Sequence, residues 1–264
     1  MSMIKVKDLW KAYGKQQVLK GLSLDVERGQ TMVILGRSGA GKSVTLRCIM
    51  GLEQPEKGEI EVDGLHLSKM TQRERFKKVK HVAMLFQGAA LFDSLSVGEN
   101  TAFFLTQHED LVEQRWLKPD EIKDRVHDAL KLVGLEDTEH KMVSDLSGGM
   151  RRRVALARLI VYRPTVILYD EPTAGLDPVT AMSINELIRN TQEELKATSI
   201  VVTHDLRSAL EVGDRIAYHH EGQIIQVADK DEFFNTDDSR VQAFLNNTLL
   251  PDQLSHRRKN VRPD

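Results

Sequence analysis

The sequence predicts an α/β fold with a mostly parallel sheet at its core, an antiparallel β subdomain and a helical insertion. Continuous apolar runs, typical of strands buried on both faces, recur at residues 31–35, 82–86, 166–169 and 199–203. Helical patterns separate these runs at residues 42–50, 154–161 and 179–195. Such alternation is typical of layered α/β proteins. Near both ends of the chain the pattern changes to short alternating strands, which predicts the antiparallel part.

The apolar run at residues 31–35 leads directly into Gly-Arg-Ser-Gly-Ala-Gly-Lys-Ser, and a helical pattern follows at once. This GxxxxGK[ST] pattern predicts the phosphate-binding loop of a P-loop NTPase (RecA-like) fold, because glycines let backbone N–H groups surround a phosphate chain. Lys42 is suited to the β- and γ-phosphates, and the Ser43 hydroxyl is suited to Mg²⁺. The candidate nucleotide-binding residues are Gly36, Arg37, Ser38, Gly39, Ala40, Gly41, Lys42, Ser43 and Val44. Cys48, in the following helix, is expected to be buried as a small apolar residue.

Residues 89–146 are rich in helix formers and charge, which predicts a helical subdomain inserted into the α/β core. Pro119, followed by Asp120 and Glu121, indicates a helix start, since acidic residues favour the positive end of the helix dipole. Apolar residues at helical spacing continue over residues 122–133.

The helix predicted after this insertion begins at Ser147-Gly148-Gly149-Met150. Ser147 is suited to cap the helix, and the two glycines leave its first turn open to an anion. Taken alone, the segment indicates no more than an ordinary helix start.

Two carboxylates, Asp170 and Glu171, follow the apolar run at residues 166–169. In an α/β sheet the carboxyl end of a strand is the edge where ligands bind. We expect Asp170 to help hold Mg²⁺ and Glu171 to polarise an attacking water. The pair gains this meaning only together with the phosphate loop, because an acidic pair after a strand is more often a helix cap.

Residues 215–219 and 223–227 flank Glu221-Gly222 and predict a β-hairpin. We divide the chain into an α/β core at residues 1–88 and 147–228, the helical subdomain at 89–146, and a C-terminal helical extension and tail at 229–264. The basic run His256-Arg257-Arg258-Lys259 is expected to be a solvated, mobile tail, with binding to a partner or an anionic membrane as the alternative.

The composition excludes several classes of protein. The 264 residues include 37 Lys and Arg against 39 Asp and Glu, so there is no overall positive charge of the kind that binds duplex nucleic acid. A single cysteine excludes an internal disulfide and a cysteine-rich zinc site. No run of 18 residues is free of charge, and residues 1–6 lack the apolar core of a signal peptide. We therefore expect a cytoplasmic protein that reaches a membrane only through a partner.

The phosphate loop, the Ser-Gly-Gly helix start and the acidic pair, in that order and spacing, resemble the nucleotide-binding domain of ATP-binding cassette (ABC) proteins over residues 4–227. The resemblance implies an ATPase that uses ATP and Mg²⁺. It implies that Lys42, Gln87, Glu171 and His204 are catalytic, that Ser43, Gln87 and Asp170 serve Mg²⁺, and that Tyr13 stacks on adenine. It also implies a loop that contacts the partner cassette, formed by Ala174, Gly175, Leu176 and Asp177.

The resemblance further implies a dimer, since each ATP in ABC proteins lies between the phosphate loop of one subunit and the Ser-Gly-Gly signature of the other. We expect a homodimer in which Ser147, Gly148 and Gly149 bind ATP in trans. An integral membrane permease is expected to dock near Gln87 to Asn100. The apolar residues 89–92 either receive this permease or pack the helical insertion onto the sheet.

Residues 86–104 and 146–158, with Met150 where glutamine is usual and three arginines after it, look like the MlaF-type ATPases, which work with MCE proteins in phospholipid transport. This resemblance predicts an ATPase on the cytoplasmic side of the inner membrane that energises phospholipid movement, with an MCE-domain protein in the complex. The alternatives are the ATPase of an amino-acid-type importer and a soluble ABC ATPase without a transport role. No nucleic-acid partner is expected.

Overall fold

The computed structural model describes residues 2–248, so the basic run at residues 256–259 and the end of the predicted extension lie outside it. The first half of the described chain contains strands β1 Ser2–Tyr13, β2 Gln16–Glu27, β3 Thr31–Leu35, β4 Lys57–Val62, β5 Leu65–His66 and β6 Val82–Leu85, with helices α1 Lys42–Met50, α2 Gln72–Lys78, α3 Val97–Gln107 and α4 Pro119–Leu132. The second half contains strands β7 Val166–Asp170, β8 Thr198–Thr203, β9 Arg215–His220 and β10 Gln223–Ala228, with helices α5 Gly148–Ile160, α6 Pro178–Leu195, α7 Leu206–Val212, α8 Lys230–Phe234 and α9 Ser239–Thr248.

The strands form two sheets. The six-stranded sheet has the order β10-β9-β3-β8-β7-β6, and its neighbours are parallel from β9 to β6. The four-stranded sheet, in the order β2-β1-β4-β5, is antiparallel. The predicted fold class is therefore confirmed: a mostly parallel core with an antiparallel β subdomain and inserted helices.

The parallel strands are buried on both faces, as their continuous apolar sequences require. Alternate residues of β3 show the two faces: Val33 and Leu35 pack in the hydrophobic cluster that includes α5 and α6. Met32 and Ile34 pack in a second cluster, between the two sheets, together with α1. Cys48 belongs to this second cluster and is 1% exposed, as predicted. Burial raises the pKa of its thiol to about 11.

The predicted hairpin is present as β9 and β10, and it extends the large sheet at one edge. Glu221 and Gly222 both have positive φ angles, which is the backbone of a two-residue hairpin turn. The prediction of short strands near both ends was wrong for the N-terminus, where β1 and β2 have 12 residues each. β1 lies between β2 and β4, and hydrogen bonds to strands on both sides support its length.

The segment at residues 89–146 contains α3, α4 and a short 3-10 helix at Val143–Asp145. Pro119 is the first residue of α4, as its sequence signal indicated, with Asp120 and Glu121 in the first turn. α3 and α4 pack on α5, whose apolar residues join the cluster on that face of the large sheet. Among residues 2–248, no helix combines the length and apolarity that crossing a membrane requires.

Candidate functional site

The phosphate loop lies between the end of β3 and the start of α1, at the carboxyl edge of the large sheet. Gly41 is the N-cap of α1 and has φ 102°, a conformation that side chains rarely adopt. A Cβ at Gly41 would lie 2.7 Å from Val18 Cγ1, and one at Gly36 would lie 2.4 Å from the His219 carbonyl oxygen. The loop is therefore pressed against β2 and β9, and glycine is required at both contacts.

Lys42 is 4% exposed, and its ammonium is held inside the phosphate loop. Its Nζ donates to the carbonyl oxygens of Gly36 at 2.8 Å and Arg37 at 3.0 Å. It also forms an ion pair with Glu171 Oε1 at 3.4 Å. Burial lowers the pKa of Lys42, and the nearby carboxylates of Glu171 and Asp170 oppose that shift. The cation is thus fixed where the loop would receive a phosphate.

Asp170 is the last residue of β7, and its Oδ1 accepts a hydrogen bond from Ser43 Oγ at 2.6 Å. Burial raises the pKa of Asp170, and the bond from Ser43 opposes the shift. A hydroxyl and a carboxylate, joined across two elements beside a phosphate loop, are hard oxygen donors of the kind that Mg²⁺ accepts. The residues present therefore fit a magnesium ion bound together with nucleotide phosphates.

Glu171 follows β7 in a turn with φ 47°, and its backbone N–H donates to the Val202 carbonyl at 2.9 Å. Its carboxylate is shared, because Oε1 faces Lys42 and Oε2 lies 2.8 Å from His204 Nδ1. Glu171 is 8% exposed, whereas the His204 side chain is half-exposed. The turn thus places one carboxylate between a buried cation and an accessible imidazole, which is an arrangement suited to proton transfer.

One cavity of about 390 Å³ collects most of these groups. It is lined by Tyr13, Val18, Ser38, Gly39, Gly41, Lys42, Ser43, Val44, Arg47, Gln87, Glu171 and His204. Gly36, Arg37 and Ala40, also predicted, belong to the loop but do not line the cavity, and Asp170 reaches the site through Ser43. Sequence reasoning missed Val18 and Arg47. The spacing of Arg47, one helical turn after Ser43, was a usable signal, whereas nothing local marked Val18.

Comparison with known proteins identifies the family of the chain. The family model described as ABC transporter matches residues 19–174. A probable ribonucleotide transport ATP-binding protein, mkl, of Mycobacterium leprae is 37% identical over 243 residues, which cover 92% of this chain and 68% of that protein.

The chain belongs to the ABC transporter ATPase family.

Further similarities extend along nearly the whole chain. The chloroplast protein trigalactosyldiacylglycerol 3 of Arabidopsis thaliana is 35% identical over 94% of this chain and 74% of its own length. The cassette MJ0796, solved as a dimer bound to ADP and Pi, superposes with a TM-score of 0.77 at 31% identity, over 86% of this chain and 98% of its own. CbiO1 of Clostridium perfringens, part of the ABC transporter complex cbiONQ, gives a TM-score of 0.80 at 31% identity, over 98% of this chain and 99% of its own. The chain is therefore an ATPase subunit with ATP and Mg²⁺ as its ligands.

The signature segment of this ABC ATPase does not line the cavity of its own chain. Ser147 caps α5, because its Oγ accepts from the Met150 N–H at 3.3 Å. A Cβ at Gly148 would meet nothing within 4 Å, whereas one at Gly149 would lie 2.8 Å from Thr180 Cγ2. The first turn of α5 therefore lies outside the cavity of its own chain, with open space beside Gly148 and α6 beside Gly149.

Ala174, Gly175 and Leu176 of the predicted contact loop line a second cavity of about 380 Å³ together with His204. Asp177 caps α6 by accepting from the backbone N–H groups of Val179 and Thr180. The loop predicted to contact the partner cassette therefore lies near His204.

The segment after β6 is held by arginines of α5. Arg152 donates to the Phe86 carbonyl at 2.9 Å, and Arg158 donates to the carbonyls of Ala89 and Ala90 at 2.9 and 2.7 Å. Gln87 is exposed and lines the nucleotide cavity. Hydrogen bonds therefore join α5, the helix that begins at the signature, to the segment that contains Gln87.

The apolar residues 89–92 were predicted either to receive a permease or to pack the helical insertion onto the sheet, and the structure shows residues suited to each role. Ala89 is buried, and Leu91 packs against the cluster beneath the helices. Phe92 stays 41% exposed and contacts the exposed Phe103, with ring centroids 4.5 Å apart. The segment thus packs the helical insertion and also leaves an aromatic pair on the surface.

Proposed function

We propose that this ABC ATPase energises a membrane transporter of phospholipids from the cytoplasmic side of the inner membrane. The main support for ATP hydrolysis at this site is the position of the Glu171 carboxylate, which lies between Lys42 and His204. The Arabidopsis relative is named after a galactolipid, which supports the lipid cargo. The likeness of residues 86–104 and 146–158 to the MlaF-type ATPases supports it further.

In the proposed reaction Lys42 binds the β- and γ-phosphates through its ammonium, and the loop N–H groups surround them. Glu171 accepts a proton from the attacking water, which Gln87 helps to orient, and His204 fixes the second carboxylate oxygen and contacts the γ-phosphate. Ser43, Gln87 and Asp170 would hold Mg²⁺, whose charge would offset that of the phosphates. Tyr13 stacks on the adenine.

We further propose that two copies form a closed dimer, in which Ser147, Gly148 and Gly149 of one copy complete the site of the other. Solved dimers of the related cassette MJ0796 support this arrangement. The permease docks near Gln87 to Asn100, with the exposed Phe92 and Phe103 as its apolar contact. In the proposed division, residues 1–88 and 147–228 form the ATPase core, 89–146 the helical subdomain, and 229–264 the extension and tail.

A second candidate is the ATPase of a small-solute importer. A methionine import ATP-binding protein, MetN, of Clostridium tetani is 37% identical over 95% of this chain and 77% of its own length. The nucleotide site would be the same in both cases, because the cargo is selected by the partner subunits.

Purification of the chain with its partners from the native membrane separates the two candidates. A permease with an MCE-domain protein is the expected result, and ATP-dependent movement of labelled phospholipid in reconstituted vesicles should then be lost in Glu171→Gln. A complex with a solute-binding protein and solute-stimulated ATPase activity would support the importer instead.

A further inference from the structure

Tyr13 is held by two residues from outside its strand, Glu53 and Arg47, and by Lys11 of its own strand. Its hydroxyl donates to Glu53 Oε2, and the other oxygen of the same carboxylate accepts from Arg47 Nε at 2.6 Å. Lys11 Nζ lies 5.4 Å from the centroid of the Tyr13 ring and donates to the Gln54 carbonyl at 2.9 Å. The ring is therefore fixed at its hydroxyl end, and one of its faces is covered by a cation.

The carboxylate of Glu53 is well suited to this double contact. Its side chain is 22% exposed, and that of Arg47 is 36% exposed, so the ion pair is partly shielded from water. Burial alone would raise the pKa of Glu53, but the hydrogen bonds from Tyr13 and Arg47 outweigh it and lower that pKa. Burial and the bond to Glu53 raise the pKa of Tyr13. The carboxylate thus stays ionised and the phenol stays protonated.

The contacts join two parts of the fold that meet at the nucleotide cavity. Tyr13 ends β1, in the four-stranded sheet. Arg47 belongs to α1, which continues the phosphate loop of the six-stranded sheet, and it lies one helical turn after Ser43. Tyr13, Arg47 and Ser43 all line the same cavity. The Tyr13–Glu53–Arg47 network therefore fixes the distance from the aromatic ring to the phosphate loop.

We propose that Glu53 and Arg47 are positioning residues that hold the Tyr13 ring at the correct separation from the phosphate loop to stack on the base of the nucleotide. This proposal rests on the base-stacking role proposed for Tyr13. A ring fixed in advance loses less conformational freedom when the base binds, which increases affinity. The base is remote from the scissile phosphate, so the network contributes to binding and leaves the chemical step unchanged.

The test compares ATP with inorganic tripolyphosphate, a ligand without a base, in Tyr13→Ala, Glu53→Ala and the double variant. We expect Glu53→Ala to raise the dissociation constant for ATP about tenfold, as loss of one stacked base would, with kcat unchanged. The affinity for tripolyphosphate should stay within about twofold of the wild type. The double variant should bind ATP no more weakly than Tyr13→Ala, because both changes remove one interaction.

Two further variants make the comparison specific. Glu53→Gln keeps an oxygen acceptor for the tyrosine hydroxyl and should recover part of the lost ATP affinity. Asp63→Ala breaks an exposed ion pair with Arg28, at 2.5 Å, elsewhere on the antiparallel part, and should leave ATP affinity unchanged.

The outcomes separate the two claims. If Tyr13→Ala binds ATP as tightly as the wild type, the base-stacking role itself fails, and this inference fails with it. If Tyr13→Ala weakens ATP binding but Glu53→Ala and Glu53→Gln do not, the positioning role fails and the stacking role stands. If the losses of ATP affinity in the two single variants multiply in the double variant, the positioning role is also contradicted. An equal loss of affinity for tripolyphosphate would contradict it as well.

Discussion

At the scale of single residues, the buried ammonium of Lys42 shows how the loop is prepared for a phosphate. Its contacts are two carbonyl oxygens of the loop and one carboxylate oxygen, so an anionic phosphate can replace the carbonyls as its partner. Because burial lowers the pKa of this group, the charge depends on anionic neighbours for its stability. The same residue should therefore contribute both to ATP affinity and to turnover.

Replacement of Lys42 tests this role. We expect Lys42→Ala to raise the dissociation constant for ATP at least about tenfold and to reduce turnover strongly, since a buried charge-assisted contact is lost. Isothermal titration and phosphate release measure the two effects. Lys69→Ala, in an exposed position, is the control. Unchanged ATP affinity in Lys42→Ala would contradict the assignment.

His219 makes stability depend on pH. It lies on β9 behind Gly36, is 1% exposed, and neither ring nitrogen has a hydrogen-bond partner among the described residues. Burial first, and then the charge of Lys42, lower its pKa from 6.5 to about 4. Between these values the unfolded chain binds a proton that the folded chain does not. Stability is therefore lost as the pH falls below 6.5, and the loss is complete below about 4.

We expect this single group to contribute about 2 kcal/mol to the loss of unfolding free energy between pH 7 and pH 5. Urea unfolding at both pH values measures the loss, and His219→Leu should lose about 2 kcal/mol less than the wild type over the same interval. Equal losses in the two proteins would show that His219 does not titrate in this way.

At the scale of elements, the phosphate loop depends on the strands behind it. β9 passes directly behind Gly36, and β2 passes behind Gly41 at Val18. Backbone atoms of β9 and β2 lie against the loop on both sides. The shape of the loop therefore depends on these two strands as well as on its own sequence.

Gly36→Ala tests this dependence. The added Cβ would lie 2.4 Å from the His219 carbonyl oxygen, and a backbone atom in a sheet cannot move away cheaply. We expect a loss of about 1–3 kcal/mol in unfolding free energy, together with weaker ATP binding. Gly88→Ala, where nothing lies within 4 Å, is the control for stability and should unfold as the wild type does. A fully stable Gly36→Ala protein with normal ATP affinity would contradict the proposed packing.

The same elements show what the sequence could and could not predict. β3, α1 and the phosphate loop follow from local patterns, and the structure confirms their bounds. β4 and β5 were not foreseen, because β4 is a short, charged strand whose longer pairing is with β1, some fifty residues earlier, and β5 has only two residues. Glu53 and Val18 were missed for the same physical reason: their contacts join distant segments, and no local spacing marks them.

At the scale of the whole molecule, the phosphate loop and the Ser-Gly-Gly turn of one chain lie apart. The phosphate loop, Glu171 and His204 line one cavity, while the first turn of α5 lies elsewhere. We propose that the first turn of α5 of a second copy, related by two-fold symmetry, completes the site, so that both sites form at once. The central proposal is therefore that bound ATP joins the two copies.

Size-exclusion chromatography with light scattering on Glu171→Gln tests that claim most directly. The variant keeps the phosphate-binding groups but loses the proton acceptor, so it should bind ATP and Mg²⁺ and elute as a dimer, and as a monomer without nucleotide. Ser147→Arg in the same background places a bulky cation at the signature and should stay monomeric while still binding ATP. A Glu171→Gln protein that hydrolyses ATP at the wild-type rate, or stays monomeric with ATP bound, would contradict the claim.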